Sequence, residues 1–295
     1  MVIYFCWCPV NRDSRSFHAV FTQMNTVILI LISGRATLPS PKDSISSARS
    51  VGSHHKGYLG FVEPRGPAAE TPTVPLLDYV DWRPNMSAVK DQGQCGSCYA
   101  ESAVGAYEAA WSLRTGRVHN FSVQQAMDCS EKQGNQKCNG GWMHAVYEYI
   151  MDGHGILLDS QDPYTAMDGN CSKANPNGEI AYLKNWSYVH PSQRALLHWI
   201  TKQPISIAVS ADDCWQNYDS GIVNGTNCPS SLSPPQLDHG VIAVGYDLRG
   251  TEPYFLVRNS WGTSWGEDGY IRIAINSTHP SGLFGLASQP TVPLL

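Results

Sequence analysis

Charge is scarce in this chain. Charged residues make up 15% of its 295 positions and the formal net charge is −5. A nucleic-acid-binding protein presents a basic face or stripe, and this balance offers none, so no nucleic-acid partner is expected. No apolar run approaches the roughly 20 residues that span a bilayer, so no membrane span is expected either. There is no internal repeat, which removes solenoids and propellers from consideration. Close cysteine pairs are also lacking beyond Cys95 and Cys98. Cys129 and Cys138 stand nine apart, which leaves a structural zinc without its second pair, and neither metal nor cofactor is expected.

Apolar residues make up 42% of the sequence, enough for one large domain or two modest lobes sharing an interface. Of the nine cysteines, seven fall between Cys95 and Cys228. An odd number there suggests paired bridges plus one thiol left over, and a leftover thiol is a candidate nucleophile. Bridges imply an oxidising compartment. Asn85, Asn120, Asn185, Asn224 and Asn276 each open an N-x-S/T sequon, and Asn170 does so around Cys171. Together they point to the secretory route and candidate glycosylation. Near the start, Val27–Ile32 is short and apolar and ends in Ser33-Gly34-Arg35-Ala36. It fits the core of a signal peptide, although no basic cluster precedes it, and it fits a buried segment equally well.

Residues 33–75 are rich in Ser, Pro, Gly and Ala and show no apolar period, which reads as a linker or processed pro-region. The spacing of breakers and apolar residues then predicts a long helix over Ser97–Thr115 with Gly116 closing it, a second over Met143–Met151, and a third over Gln193–Lys202 stopped by Pro204. From Ile205 onward, Ile205–Val209, Gly240–Tyr246, Tyr254–Arg258 and Gly269–Ile275 are short, β-branched or aromatic, and punctuated by Gly, Pro and Asp. Helices first and strands later predict an α+β fold with a helical lobe and a sheet lobe.

Covalent cleavage of a peptide needs a nucleophile, a base, a group that orients the base, and donors for the oxyanion. Cys98 opens the predicted helix, where the peptide dipoles favour a thiolate. Asp238-His239-Gly240 opens a strand, and Asn259 follows another, so the Asn259 carbonyl can fix the His239 tautomer, with Trp261 shielding their bond. Gln92, six residues before Cys98, can offer an amide N–H beside the Cys98 backbone. On these grounds alone a redox pair at Cys95 and Cys98, half a zinc site and a peptidase all remain open.

Four stretches then narrow the choice. Gln92-Gly93-Gln94-Cys95-Gly96-Ser97-Cys98-Tyr99-Ala100, Cys138-Asn139-Gly140-Gly141, Asp238-His239-Gly240, and Asn259-Ser260-Trp261-Gly262 with Trp265–Tyr270 resemble the papain family of cysteine peptidases, in the family's order. The resemblance runs from about Leu76 to Pro293. It implies a two-lobed fold, with a mainly helical lobe at about 85–187 and an antiparallel β-sheet lobe at about 188–290, inside a domain of residues 76–295, with the active site between the lobes. It also implies an endopeptidase acting through a Cys98 acyl-thioester with His239 as base, Asn259 and Gln92 assisting, made as an inactive precursor. Gly140 and Gly141 match the main-chain strip that holds an extended substrate. Trp142, Met143, Ala208, Leu237 and Gln289 match the pocket for the second side chain before the cut, which predicts a hydrophobic preference there. Trp265 matches a surface on the leaving-group side. The implied partners are polypeptide substrates and a pro-segment or cystatin-like inhibitors, the implied state is a monomer, and the implied location is the lysosome, vacuole or extracellular space. The alternatives carried alongside are an inactive homologue acting as a binding module and a thiol–disulfide oxidoreductase.

Departures from the family pattern are equally specific. Tyr99 stands where Trp is usual, and Glu101 where Phe is usual. A carboxylate three residues from Cys98 lies on the same helix face, and it needs a partner unless it reaches solvent. The family's inhibitory pro-domain pattern is missing from residues 1–75, and only Tyr58-Leu59-Gly60 resembles its tail. Residues 1–75 therefore read as a truncated or misassembled signal and pro-region. The resemblance pairs Cys95 with Cys138 and Cys129 with Cys171. The partner usual for Cys228 is replaced by Phe284, and Cys214 is an extra, so a Cys214–Cys228 bridge is expected.

Overall fold

The computed structural model describes residues 22–23, 26–27, 56–60, 68–171, 180–233, 235–275 and 280–295. The chain divides into two units, Met1–Ser50 and Val51–Leu295. In the first, β1 (Thr22–Gln23) and β2 (Thr26–Val27) pair antiparallel; the rest of the Val27–Ile32 run lies outside the described residues, as does Asn276.

The second unit begins its regular structure with β3 (Tyr79–Asp81) and then α1 (Cys98–Thr115). Alanine dominates α1 and sustains the helix, and Gly116 ends it in the left-handed region (φ 71°), its N–H returning to the Ser112 carbonyl. The helix is buried on nearly every face along its first thirteen residues, the mark of a central element rather than a surface one. Two short helices, α2 (Val123–Cys129) and α3 (Met143–Tyr149), pack around it with Tyr107, Phe121, Met127 and Tyr147 between them. The Ser122 hydroxyl caps α2 by accepting from the Gln125 N–H at 2.8 Å. The predicted helix to Met151 stops two residues early as regular α-helix, and a wider turn at Ile150–His154 follows because Gly153 takes φ 83°.

A small pair, β4 (Ile156–Leu157) with β5 (Ile180–Ala181), closes this helical part. Then come β6 (Asn185–Tyr188), α4 (Gln193–Ile200), β7 (Ile205–Val209), α5 (Asp213–Gln216), β8 (Ile222–Val223), β9 (His239–Asp247), β10 (Tyr254–Arg258), β11 (Tyr270–Ala274) and β12 (Thr291–Leu294). The large sheet runs β6-β12-β7-β9-β10-β11-β8, with β3 also on β9. β7 and β10 have the predicted bounds, and β9 and β11 differ from them by one residue at each end. The expectation of an antiparallel sheet needs one correction, since β8 pairs parallel with β11. The chain visits β9 and β10 between those two strands, so β11 returns to β8 in the same sense through a crossover.

Eight of the nine β9 residues are buried. Val241 and Ala243 face the sheet core with Phe255, Val257 and Ile273, while Ile242 and Val244 face α1 through Ala106 and Ala109. A strand covered on both faces reads as a continuous apolar run. The contact of α1 with β9 is unusually close. A Cβ on Gly105 would come within 2.5 Å of the Ile242 side chain, and one on Gly240 within 3.1 Å of the Cys98 carbonyl. The Ser102 hydroxyl bonds the Val241 carbonyl at 2.7 Å. These contacts set the start of α1 against the start of β9.

One expectation for residues 33–75 is corrected here. Residues 56–60 are docked rather than a linker: Tyr58 is buried and bridges Gly141, and Ala69 bridges Val189 further along. Main-chain pairing and a single aromatic anchor hold this stretch, and neither leaves a periodic signature in composition.

Candidate active site

Cys98 is the first residue of α1 and is fully buried. Its turn is crowded, since a Cβ on Gly96 would meet the Cys138 carbonyl at 2.4 Å. The Gly240 N–H donates to Cys98 Sγ at 3.2 Å, and the Gly57 backbone supplies a further bond to the same sulfur. Cys98 is the free cysteine among the described residues. Burial, only partly offset by these main-chain bonds, pushes its thiol up to about 12. In this form burial therefore disfavours the thiolate.

His239 heads β9, directly before Gly240. Its Nε2 lies 2.7 Å from Asn259 Oδ1, so that nitrogen donates and the tautomer is fixed. Asn259 follows the end of β10 and is anchored by its own N–H to the Gly269 carbonyl at 2.9 Å. Trp261 stacks on the imidazole with ring centres 4.7 Å apart, and Trp215 meets it edge-on. Both indoles are buried, so the His239–Asn259 bond is screened from water.

Gln92 is wholly buried and held at four atoms, its own backbone N–H donating to the Ser260 carbonyl at 2.9 Å. Its Nε2 donates to the Cys95 carbonyl at 2.9 Å, its Oε1 accepts from Ser260 at 2.7 Å, and its carbonyl accepts from Tyr164 at 2.9 Å. The Tyr164 hydroxyl also meets Ser97, so the loop before the helix is pinned at both its ends, Gln92 and Ser97, just ahead of Cys98. Ser260 and Tyr164 escaped the sequence reading because hydroxyls carry no motif until the fold brings them to Gln92.

Residues 56–60 cross this site as an extended strand. The Gly141 N–H donates to the Gly57 carbonyl at 2.8 Å, the Leu59 N–H to the Gly141 carbonyl at 3.3 Å, and the Tyr58 N–H to the Asp238 carbonyl at 3.0 Å. A Cβ on Gly57 would fall 1.8 Å from the Gly96 carbonyl, so only glycine passes there. Lys56 pairs with Asp238 at 2.9 Å. Tyr58 packs in one apolar cluster with Met143, Ala208 and Leu237, and its hydroxyl reaches Gln289 Oε1 at 2.5 Å. Trp142 donates its indole N–H to the Gly60 carbonyl at 3.0 Å. The predicted pocket residues are thus gathered, and the chain's own Tyr58 fills the space among them.

Trp265 lies elsewhere than expected. It is buried in the sheet core, stacked on Trp215 at 5.8 Å and edge-on to Trp261 at 5.5 Å, rather than forming a surface. Glu101 does not reach solvent: it is 5% exposed. Asn120 and Asn185 are exposed and Asn85 and Asn224 half-buried. Three disulfides join Cys95 to Cys138, Cys129 to Cys171 and Cys214 to Cys228, the last with Cα atoms 6.1 Å apart. With Cys95 bridged to Cys138, a dithiol couple with Cys98 has no second thiol.

Comparison with known proteins agrees with this geometry. Residues 76–294 match the papain family cysteine protease profile. Mouse procathepsin L is 43% identical over 249 residues, covering 81% of this chain and 70% of that protein. The cysteine proteinase RD21A of Arabidopsis thaliana is 41% identical over 223 residues, and the chain spans about half of it, 47%. Among solved structures, digestive procathepsin L 3 from the larval midgut of Tenebrio molitor superposes with a TM-score of 0.72 at 33% identity, covering 82% of this chain and 76% of that one. Bromelain of Ananas comosus, in complex with the E64 inhibitor, gives 0.68 at 33% identity, covering 75% of this chain and 100% of that one.

Proposed function

Since the chain belongs to the papain family of cysteine proteases, we propose that it is a cysteine endopeptidase held closed by its own residues 56–60. The observation that carries this reading is the buried free thiol of Cys98 at the head of α1, beside a His239–Asn259 pair bonded at 2.7 Å. In the closed form the sulfur receives main-chain hydrogen bonds from Gly240, Gly57 and Tyr99. The blocking strand therefore offers the sulfur a donor in place of an electrophilic carbon.

With the strand withdrawn, the thiol is rehydrated and its proton passes to Nδ1 of His239. The thiolate attacks the substrate carbonyl carbon, and the C–N bond breaks as the imidazolium returns the proton to the leaving amine. Water, deprotonated by the same imidazole, then hydrolyses the thioester. Gln92 and the Cys98 N–H act as oxyanion donors. The Gln92 bond to Cys95 uses one amide hydrogen and sets the plane of the other.

Tyr58 marks the side chain preferred at the second position before the cut. A hydrophobic or aromatic group fits the Met143, Ala208 and Leu237 walls, and Gln289 adds a polar end that accommodates a tyrosine hydroxyl. Gly140 and Gly141 hold the substrate main chain. The stretch between Cys138 and Cys171 carries no extra His-bearing loop to block the cleft, which favours cutting inside chains. Three disulfides and the sequons support passage through the secretory route to a lysosomal, vacuolar or extracellular location.

The test is fluorophore release from a dipeptide substrate with an aromatic or leucine side chain at that position, after proteolytic removal of the N-terminal segment. Release that vanishes in Cys98→Ala and after thiol alkylation is expected. A Cys98 that alkylates readily while no substrate turns over would instead make the chain a binding module.

A further inference from the structure

Glu101 is the one feature of α1 that the peptidase reading leaves without a task. It sits one turn beyond Cys98, is 5% exposed, and neither carboxyl oxygen has a hydrogen-bond partner among the described residues. A buried carboxyl left so costs several kcal/mol in principle, which makes an unassigned partner the first thing to seek. The same condition holds at a second atom nearby. Asn259 Nδ2 is buried and has no partner among the described residues, although Oδ1 of the same side chain holds His239.

Both residues line one small cavity, together with Lys90, Gly240, Arg258 and Ser260. It leaves space for the centre of a single water, about 10 Å³. Its walls are partly polar and partly apolar, with Val241 and Ile242 among them, and Lys90 and Arg258 join it to an ionic network. Lys90 pairs with the buried Glu108 at 2.8 Å, Glu108 also accepts from Ser87 at 2.5 Å, and Arg258 reaches Ser87 at 3.4 Å and the Ala88 carbonyl.

We propose that Glu101 is a positioning residue for peptide hydrolysis, acting through one water in this cavity to hold Asn259 Nδ2 and thereby keep Asn259 Oδ1 aimed at His239. The proposal rests on the peptidase reading of the same site. Its chemistry is directional. A carboxylate only accepts, so it takes a hydrogen from the water, whose oxygen accepts from the Asn259 amide N–H. Were the amide turned over, Nδ2 would face the His239 N–H, donor against donor, while the water could still donate its second hydrogen to Oδ1. The His239 N–H therefore selects the amide orientation, the water-bridged carboxylate anchors Nδ2 in it, and its charge favours the imidazolium beyond.

Protonation would weaken the device. Burial raises the Glu101 carboxyl to about 7, opposed by Lys90 and Arg258 and reinforced by Glu108 and Asp159. Tyr164 also faces it, and Cys98 lies one turn away on the same helix. Positioning by the carboxylate is thus complete above that range and lost as pH falls through it.

The experiment compares wild type, E101Q and E101L after removal of the N-terminal segment, with kcat and KM measured from pH 4 to 9 per titrated active site. Wild type should show a rise in kcat centred near pH 7. E101Q, nearly the same shape but with neither a titrating group nor a charge, should lose that inflection and stay at the low-pH level of wild type across the range. E101L, which can hold no water, should lower kcat up to about tenfold with KM unchanged, the scale of one hydrogen bond. An inflection that persists in E101Q, or an E101L enzyme with wild-type kcat, overturns the proposal. Normalising to alkylatable Cys98 removes any misfolded fraction from the comparison. Wild type that alkylates without turning over substrate would instead defeat the peptidase reading beneath it.

Discussion

Asn259 keeps an imidazole in one tautomer and one orientation, while Trp261 and Trp215 keep water from competing for it. Replacing Asn259 with Ala should leave the ring free to turn in its slot. The expected result is a fall in kcat of about 10- to 100-fold with KM nearly unchanged, because the interaction matters most as the imidazolium forms; steady-state kinetics on a dipeptide substrate checks it. Tyr58 acts at the same scale on the closed form. Burying an aromatic ring of this size stabilises by about 2–3 kcal/mol, so Tyr58→Ala should raise the open fraction by roughly 30- to 160-fold. The alkylation rate of Cys98 in the otherwise intact chain reads that fraction. An unchanged rate would mean that the main-chain bonds to Gly141 and Asp238 hold the strand alone.

At the scale of elements, the seam between α1 and β9 places the nucleophile. Gly105 and Gly240 allow an approach that any larger residue would widen, and the Gly240 N–H on the Cys98 sulfur is its direct product. Gly105→Ala should push β9 outward, costing 1–3 kcal/mol as overpacked cores do and slowing turnover; chemical denaturation together with kcat separates the two effects. The Cys214–Cys228 bridge ties α5 to the loop that precedes β9. Closing a loop this short contributes about 3 kcal/mol. The double Ser variant should lose about that much in denaturation, and a non-reducing peptide map of wild type should recover both cysteines in one linked pair.

For the molecule as a whole, closure and acidity are coupled. While residues 56–60 cover Cys98, burial holds its thiol near 12. A raised thiol pKa means the reactive thiolate is missing at neutral pH and appears only as pH climbs toward that value. Alkylation of the intact chain should accordingly stay slow from pH 5 to 9. Removal of the segment should let it run fast across the same window, with His239 sharing the proton. A pH–rate profile identical before and after cleavage would show that the segment does not control the thiol. The Lys56–Asp238 pair is partly exposed, so Lys56→Ala should change the intact rate only a few-fold.

Much of this was legible in sequence because it is local. Alanine content and Gly116 mark α1, β-branched runs bounded by Gly and Pro mark β7 and β10, and the catalytic residues sit in short stretches whose order alone carries the family resemblance. The Cys214–Cys228 pair was legible because Phe284 leaves Cys228 without its usual partner. What composition hid is long-range. Tyr58-Leu59-Gly60 resembles a pro-region tail, but residues 56–60 pair by backbone and seat one tyrosine, so nothing in their composition says that they dock until the cleft is present to receive them. The parallel placement of β8, the burial of Trp265 and the hydroxyl clamps of Ser260 and Tyr164 on Gln92 each depend on which distant segments become neighbours. Glu101 is the sharpest case. Its position one turn after Cys98 is written in the chain, but whether it meets water or a closed cavity beside Asn259 is decided by how closely β9 packs on α1, because that contact is what removes the carboxyl from solvent.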